Sequence, residues 1–314
     1  MRVYFATDIH GSEVCWRKFL NAGRFYNADV LILGGDVTGK AVVPVVAAAG
    51  GGFRVRQFSG DRVLSADEVL AAEERLRDMG LYPYRTTEDE LDAVWDKPEA
   101  VQEVFLSVMR STLARWLDLA AERLAGTGIR MYAMTGNDDP PELQRLLRES
   151  TALTETEDRL VDLGEGVTMM SFGYSNRTPW QTPRELDDDE LERRIDKLAA
   201  QVSRPERAVF NLHVPPARTA IDKAPALDGS LKPVVKGGAV VMQSVGSEGV
   251  RRVLTRYQPM LGLHGHIHES RGAVRLGSTL AINPGSEYGD GALCGALLEI
   301  DGKRGVRHYQ LPTG

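Results

Sequence analysis

Cysteine is scarce: the 314 residues contain two, Cys15 and Cys294. That is too few for a disulfide framework or a thiolate-built zinc knot, and fits a reducing compartment with both thiols buried and free. Long hydrophobic runs are missing as well. No segment approaches the ~18 apolar residues of a membrane helix, and the opening MRVYFATDIH lacks the apolar core and cleavage site of a secretion signal. The expected location is the cytoplasm, away from membranes. Positive charge is in deficit, with a net charge of −6 and a pI near 5.6. Such a chain has no general attraction for nucleic acid, and the basic track that a nuclease on long polymers needs is lacking. Phosphate chemistry would have to bring its own positive charge.

What is present is a series of short apolar runs ending at turn-formers: Val3 to Ala6, Val30 to Leu33, Ile129 to Met134, Ala208 to Leu212 and Met260 to Leu263. Four to six residues bounded by Gly, Asp, Asn or His is the pattern of a buried strand. Between the first two lies a helix from Ser12 to Phe25, with Ser12 as its cap. Strand, helix, strand at this spacing predicts an α/β layered fold. Beyond Met260 the pattern changes to Ala273–Leu276, Leu280–Asn283, Leu293–Ile300 and Val306–Leu311, strands without helices between them. These predict a second, mostly antiparallel sheet packed on the first within one domain spanning 1–314.

Residues 39–128 break the alternation and read as a mainly helical insertion. AVVPVVAA and FRVRQF flank three glycines like a hairpin, helices follow over Ser65–Met79 and Glu88–Trp95, and a helix from Glu99 to Ala125 would be about 40 Å long. A spacer, a dimerisation surface in a homo-oligomer and a substrate cap all suit such a segment.

The stretch LGGDVTGKA, residues 33–41, fits the phosphate-gripping pattern GxxxxGK through Gly34, Gly39 and Lys40. The position after Lys is Ala41 where a magnesium-reaching Ser or Thr is needed, and Val42, Val43 and Pro44 favour extended chain over a helix. The alternative makes Asp36 the important residue. Five of the six histidines, His10, His213, His264, His266 and His268, stand at or just past strand ends, where ligands of open α/β sheets gather. With them stand Asp8, Asp36, Asn137 and Asp138. In extended chain, i and i+2 side chains share a face, so Asp8 with His10, and His266 with His268, can each reach one locus. Two Asp, one Asn and four His exceed one ordinary site and suit two metals sharing a carboxylate. Mixed imidazole and oxygen donors suit manganese, iron, zinc, cobalt or nickel over calcium.

The ordered blocks DIH, GGD, GND, LHVPP and GHIH, spanning residues 8–268, together with INPGS at 282–286, resemble the calcineurin-like metallophosphoesterase superfamily. The resemblance implies a two-sheet αββα sandwich and a dinuclear site bridged by Asp36. Asp8, His10 and His268 would complete one metal; Asn137, His213 and His266 would complete the other, and His264 would orient a ligand from behind. It also implies two divalent ions, manganese first with iron, zinc, nickel, cobalt or magnesium as alternatives. Hydroxide held between them would hydrolyse a phosphodiester or small nucleotide phosphoester. The rival from another class is a scaffold or protein-interaction module of the same fold without chemistry.

One position departs from the family pattern. Most members read GNH, where the His assists the leaving group; here Asp138 and Asp139 follow Asn137. Asp138 is therefore a candidate proton donor, and a helix cap before Pro140 and Pro141 is the plainer alternative for both. The loop SFGYSNRTPW, residues 171–180, offers Asn176 and Arg177 as substrate-binding candidates, and its composition resembles a bacterial and archaeal branch related to cyclic-nucleotide phosphodiesterases.

Overall fold

The computed structural model of the chain describes residues 1–55, 60 and 62–314. Strands β1 (Arg2–Ala6) and β2 (Val30–Gly34) pair in parallel around helix α1 (Glu13–Phe25), whose cap Ser12 accepts the Cys15 amide. The insertion then supplies β3 (Ala41–Ala47), β4 (Phe53–Arg54), α2 (Ala66–Asp78), β5 (Leu81–Thr86), α3 (Glu88–Trp95) and the 27-residue α4 (Pro98–Leu124). Serine and threonine caps with Glu three residues on start α2 and α3, satisfying the first free amides of each. The chain returns through β6 (Arg130–Met134), the short α5 (Gln144–Glu149), β7 (Thr154–Glu155), β8 (Arg159–Gly164), β9 (Val167–Phe172), β10 (Ser175–Asn176) and β11 (Glu185–Leu186). Helix α6 (Asp188–Ala199) and β12 (Ala208–Leu212) precede four short strands, β13 (Lys223–Pro225), β14 (Val235–Lys236), β15 (Ala239–Val240) and β16 (Met242–Ser244), paired as two small ladders. Helix α7 (Glu248–Tyr257) leads to β17 (Leu261–Leu263), β18 (Gly272–Leu276), β19 (Thr279–Asn283), β20 (Gly295–Asp301) and β21 (Gly305–Gln310).

Two six-stranded sheets result, ordered β21-β20-β1-β2-β6-β7 and β18-β19-β17-β12-β9-β8. Alternate side chains of both meet in one apolar layer, with Val3, Phe5, Ile32 and Leu298 from the first and Met169, Val209, Leu263 and Ile282 from the second. The outer face of the first sheet buries Phe19 and Trp16 of α1 and Trp116 of α4, the two indoles stacked at 5.0 Å. The second covers its outer face with Leu191 and Ile195 of α6 and Val253 of α7. Helices thus cover the outer faces of both six-stranded sheets in a mixed α/β architecture.

Two sequence expectations are corrected. The C-terminal strands do not form a separate antiparallel sheet. β20 and β21 extend the first sheet beside β1, whereas β19 joins β17 in parallel in the second, where β17–β12 and β12–β9 are parallel too. Short apolar runs announce strands but not partners, which long-range packing selects. The proposed hairpin is brief: β3 meets β4 at only Val46–Arg54 and Ala47–Phe53, residues 56–58 of FRVRQF lie outside the described residues, and β3 runs parallel to β5 along its length. Cys15 and Cys294 are both buried and free. Among the described residues no helix is long and apolar enough to cross a membrane.

Candidate metal centre

The parallel strands β1, β2, β6, β12 and β17 all end at one rim, and the loops leaving them carry the donors. Backbone hydrogen bonds lace these loops together: Asp8 N–H to Gly35 O and His10 N–H to Asp36 O at 3.0 Å, His213 N–H to Phe172 O at 3.0 Å, and Gly265 N–H to His213 O at 2.8 Å. The turns are sharp enough to force the left-handed region on Asp8 (φ 52°), His10 (38°), Asp36 (50°) and His266 (66°). Non-glycine residues held there cost of order 1–3 kcal/mol each, a strain that collects at working sites. Gly136 is required by close approach, since a Cβ there would sit 2.1 Å from Asp36 Oδ1.

Three donor triads gather here: Asp8, His10 and His268; Asp36, His213 and His266; and His10, Asp36 and Asp138, each with ligand atoms within 4.8 Å of one another. Asn137 Oδ1 lies 2.7 Å from His266 Nδ1, beside the second triad. His10 Nε2 and His268 Nε2 approach to 3.0 Å, and His10 Nε2 lies 3.6 Å from Asp36 Oδ2, which bridges the sets. His10, His213 and Asp8 are fully buried or nearly so.

His213 supplies the test of fit. Its Nδ1 is 2.8 Å from the Gly34 carbonyl oxygen, so Nδ1 carries the proton of a neutral ring. The Nε2 lone pair then faces Asp36 Oδ2 at 3.3 Å and Asp8 Oδ1 at 3.8 Å and has no hydrogen-bond partner of acceptable geometry. A lone pair aimed at two carboxylates is repulsive unless a cation sits among them. With a proton as that cation, burial works against the imidazolium, but Asp36 and Asp8 outweigh it and carry the ring up to about 10. Divalent ions satisfy the same field with all donors engaged. Burial opposes ionisation of Asp8, yet the surrounding imidazoles hold it well below the ordinary carboxylate range. Burial pushes His266 down to about 3, leaving it a neutral donor.

His264 lies behind the rim. Its Nδ1 meets the carbonyls of Leu212 and Val214 at 2.8 and 3.1 Å, which fixes the backbone on both sides of His213. INPGS clamps the last loop: Asn283 Nδ2 donates to Gly265 O and Ile267 O at 3.2 and 2.9 Å, and Ser286 Oγ donates to Asp8 O at 2.7 Å. Asp138 stands at the cavity edge, Oδ2 3.8 Å from His10 Nδ1 and 2.9 Å from Lys40 Nζ. Burial and Asp36 raise its pKa, with Lys40 acting in the opposite direction.

The capping alternative for Asp138 and Asp139 is not what the structure contains, because the turn at Pro141–Leu143 has no side-chain cap. Asp139 instead accepts the amides of Val37, Thr38 and Gly136 at 3.0, 2.9 and 2.7 Å, tying the GGD and GND loops together. Its sequence signal was the doubled Asp, read as helix punctuation.

A cavity of about 540 Å³ opens over the donors, walled by Lys40, Asp138, Phe105 and Met109 of α4, and Trp180 and Thr182 of the 171–180 region and its sequel. The N-terminal half of α4 thus reaches over the site while its C-terminal half, with Leu113, Trp116 and Ala120, belongs to the outer helix layer. Asn176 and Arg177 do not line this cavity. Asn176 Nδ2 donates to Val245 O at 3.2 Å, and Arg177 pairs with Asp187 at 3.0 Å. Phe105, Met109 and Thr182 carry no metal-donor pattern that would mark them in the sequence, and Lys40 is marked there only by its likeness to a phosphate-gripping loop.

No protein-family model matches the chain. Over 158 residues it is 27% identical to the uncharacterized protein MJ1162 of Methanocaldococcus jannaschii, a match spanning 50% of this chain and 64% of that relative's length. The whole chain superposes on the crystal structure of TT1561 of Thermus thermophilus at a TM-score of 0.54 and 13% identity, covering 100% of this chain and 97% of that one. A looser superposition, at a TM-score of 0.33 and 14% identity, reaches YfcE, a phosphoesterase from E. coli, over 99% of this chain and 98% of that one; no chemistry is carried over from it. The likeness to TT1561 is one of fold. Motif order and the two-sheet layering both liken the chain to calcineurin-like metallophosphoesterases.

Proposed function

We propose that the chain is a metal-dependent phosphoric ester hydrolase that acts on a small phosphodiester or nucleotide phosphoester. The observation that carries this reading is His213 Nε2, fully buried 3.3 Å from Asp36 and 3.8 Å from Asp8 at a rim where the histidines and carboxylates of three donor triads converge. Asp8, His10 and His268 would hold one ion, Asn137, His213 and His266 the other, with Asp36 shared and manganese the first candidate. When bound, such a pair supplies Lewis acidity toward phosphoryl oxygens and a water-derived nucleophile at neutral pH. Asp36 and Asp8 fix the charge of the centre, and Gly34 and Asn137 fix the ring orientations of His213 and His266. Hydrolysis forms one P–O bond from water and breaks the ester P–O bond. The leaving oxygen takes a proton, for which Asp138 at the cavity edge is the proposed donor once the Lys40 ammonium, 2.9 Å from its Oδ2, has turned to the phosphoryl group and left the carboxylate to take up a proton. The walls from α4 and Trp180 leave room for a compact substrate and favour it over a polymer.

The test joins metal analysis of purified protein with turnover of bis-p-nitrophenyl phosphate and p-nitrophenyl phosphate in Mn, Ni, Co and Mg. Two ions per chain and faster diester cleavage are expected. Asp138→Asn should slow alkyl diesters far more than nitrophenyl esters, whose leaving group needs little protonation. Metal-free, inactive protein would favour a scaffold, and equal losses on both ester types would remove Asp138 from proton donation.

A further inference from the structure

Lys40 is the residue of LGGDVTGKA that metal binding leaves without a task. Its place in the fold is built. The Gly39 amide donates to the Tyr82 hydroxyl at 2.8 Å, and a Cβ on Gly39 would stand 2.2 Å from the Gly80 carbonyl oxygen. The turn into β3 is thereby pressed against the turn into β5, so the insertion dictates where the lysine emerges. It emerges into the metal cavity, beside Asp36, Asn137, His266 and His268. Its Nζ is 2.9 Å from Asp138 Oδ2, and that oxygen is 3.8 Å from His10 Nδ1.

An ordinary surface ion pair would account for the 2.9 Å contact alone, and such pairs contribute little. Three features go further. Lys40 is the one Lys or Arg among the described residues lining this cavity. Its partner is not a free surface carboxylate, because the Asp138 amide donates to Asp36 Oδ1 at 3.0 Å and the side chain is 18% exposed. The ammonium keeps 46% exposure, all the same, so its remaining donors can meet an incoming ligand. A lysine ammonium has three donors, and Asp138 engages one.

We propose that Lys40 is a substrate-binding residue whose ammonium donates to a non-bridging oxygen of the phosphoryl group. Asp138 holds that ammonium over the donors before the anion arrives. The assignment rests on the phosphoesterase reading above and adds a preference to it. A dianionic monoester or inorganic phosphate gains more from this cation than a monoanionic diester does. Lys40 thus sets how tightly monoesters, and the phosphate product, compete with diesters for one cavity.

Calorimetric titration of metal-loaded protein with inorganic phosphate tests this without turnover. Lys40→Met should weaken phosphate binding about 10- to 100-fold, the worth of a hydrogen bond to a charged group. The same variant should raise KM for p-nitrophenyl phosphate by a similar factor and for bis-p-nitrophenyl phosphate by less, with metal content unchanged. Lys40→Arg should retain most of the affinity. Since the side chain is half-exposed, an unchanged melting temperature is expected to separate lost binding from lost folding. Phosphate affinity equal in Lys40→Met and wild type, or no phosphate binding by metal-loaded wild type, overturns the assignment. Failure of the wild type to hydrolyse either ester would instead count against the phosphoesterase reading, and phosphate affinity would still decide for or against Lys40.

Discussion

The cavity over the donors has a counterpart elsewhere in the fold. A second cavity, of about 590 Å³, is walled by Arg148, Arg159, Arg184, Arg194, Glu157 and Tyr174, and it is as rich in charge as the first. There each carboxylate has a guanidinium. Glu155 meets Arg148 at 3.3 Å and Arg159 at 2.5 Å, Glu157 meets Arg184 at 2.6 Å, and Asp158 lies 3.9 Å from Arg194. Arg184 and Arg194 also sit over the Tyr174 ring at 4.4 and 4.6 Å. In the metal cavity Asp8 and Asp36 face imidazoles in place of Lys or Arg, and His213 Nε2 and His10 Nδ1 are buried without hydrogen bonds. Density of charge is therefore a poor sign of a ligand site. Incomplete pairing is the better one, because a buried polar atom left alone costs about 1–3 kcal/mol that a ligand can recover.

The contrast is most open to challenge at Asp36. Asp36→Asn removes the carboxylate proposed to be shared by two ions and should lower phosphoester turnover by at least about 1,000-fold, in the range set by loss of a charge-stabilising group at a reacting centre. Metal content measured by mass spectrometry should fall from two ions per chain to one. Retention of both ions with full activity would show that Asp36 is not the carboxylate they share, and metal-free protein of unchanged stability would show that the donors are paired for structure, like the arginines.

Arg184 is the next place to press. It is buried, pairs with Glu157, and donates to Thr135 Oγ1 and, at 3.0 Å, to Gly136 O, next to Asn137. Removing one partner of a buried pair costs about 3–5 kcal/mol when the other stays charged. Glu157 need not stay charged: burial lifts it, against the pull of Arg184, from 4.5 to about 7. A folded pKa above the unfolded one contributes stability that is complete below 4.5 and lost as pH rises through 7. Arg184→Met lifts Glu157 further, so beyond the lost hydrogen bonds to Thr135 and Gly136 its charge-related cost should be nearly absent at about pH 5, where Glu157 holds its proton, and should grow as pH rises through 7. Urea unfolding at about pH 5 and about pH 8 checks this, and a cost independent of pH would show that Glu157 is ionised throughout.

The difference between the cavities also explains what could be read from the sequence. Asp8, His10, Asp36, His213, His266 and His268 were legible because strand ends in a parallel sheet converge, so a donor type repeated at strand ends implies a place. The helix start at Ser12 was legible because capping is local chemistry. Nothing local tells Glu155 that Arg148 and Arg159 will meet it, or Leu298 that its strand joins β1 and not β19. The hairpins between Lys223 and Ser244 were missed for another reason: they are mostly exposed and their strands are only two or three residues long. Lys40 was noticed for a motif it does not serve, and its place became visible only once Gly39 and Gly80 were seen to touch.

The mildest change tests the contrast from the other side. Glu155 is buried with four partners, since Gln144 Nε2 donates to it at 2.8 Å and the Glu157 amide at 3.1 Å, alongside the two arginines. Arg148, 56% exposed and 3.3 Å away, is the weakest of them. Arg148→Ala leaves three donors on the carboxylate and should cost less than about 1 kcal/mol, the usual range for a solvent-exposed pair. Arg159→Ala alone should cost more, because it removes the shorter contact, and the double variant should exceed the sum, because Glu155 then stays buried with no cation. Neither single change should alter metal content. If Arg148→Ala released a metal or abolished turnover, full pairing would no longer distinguish a structural cavity from a working one, and the arginines would have to be counted as part of the same site.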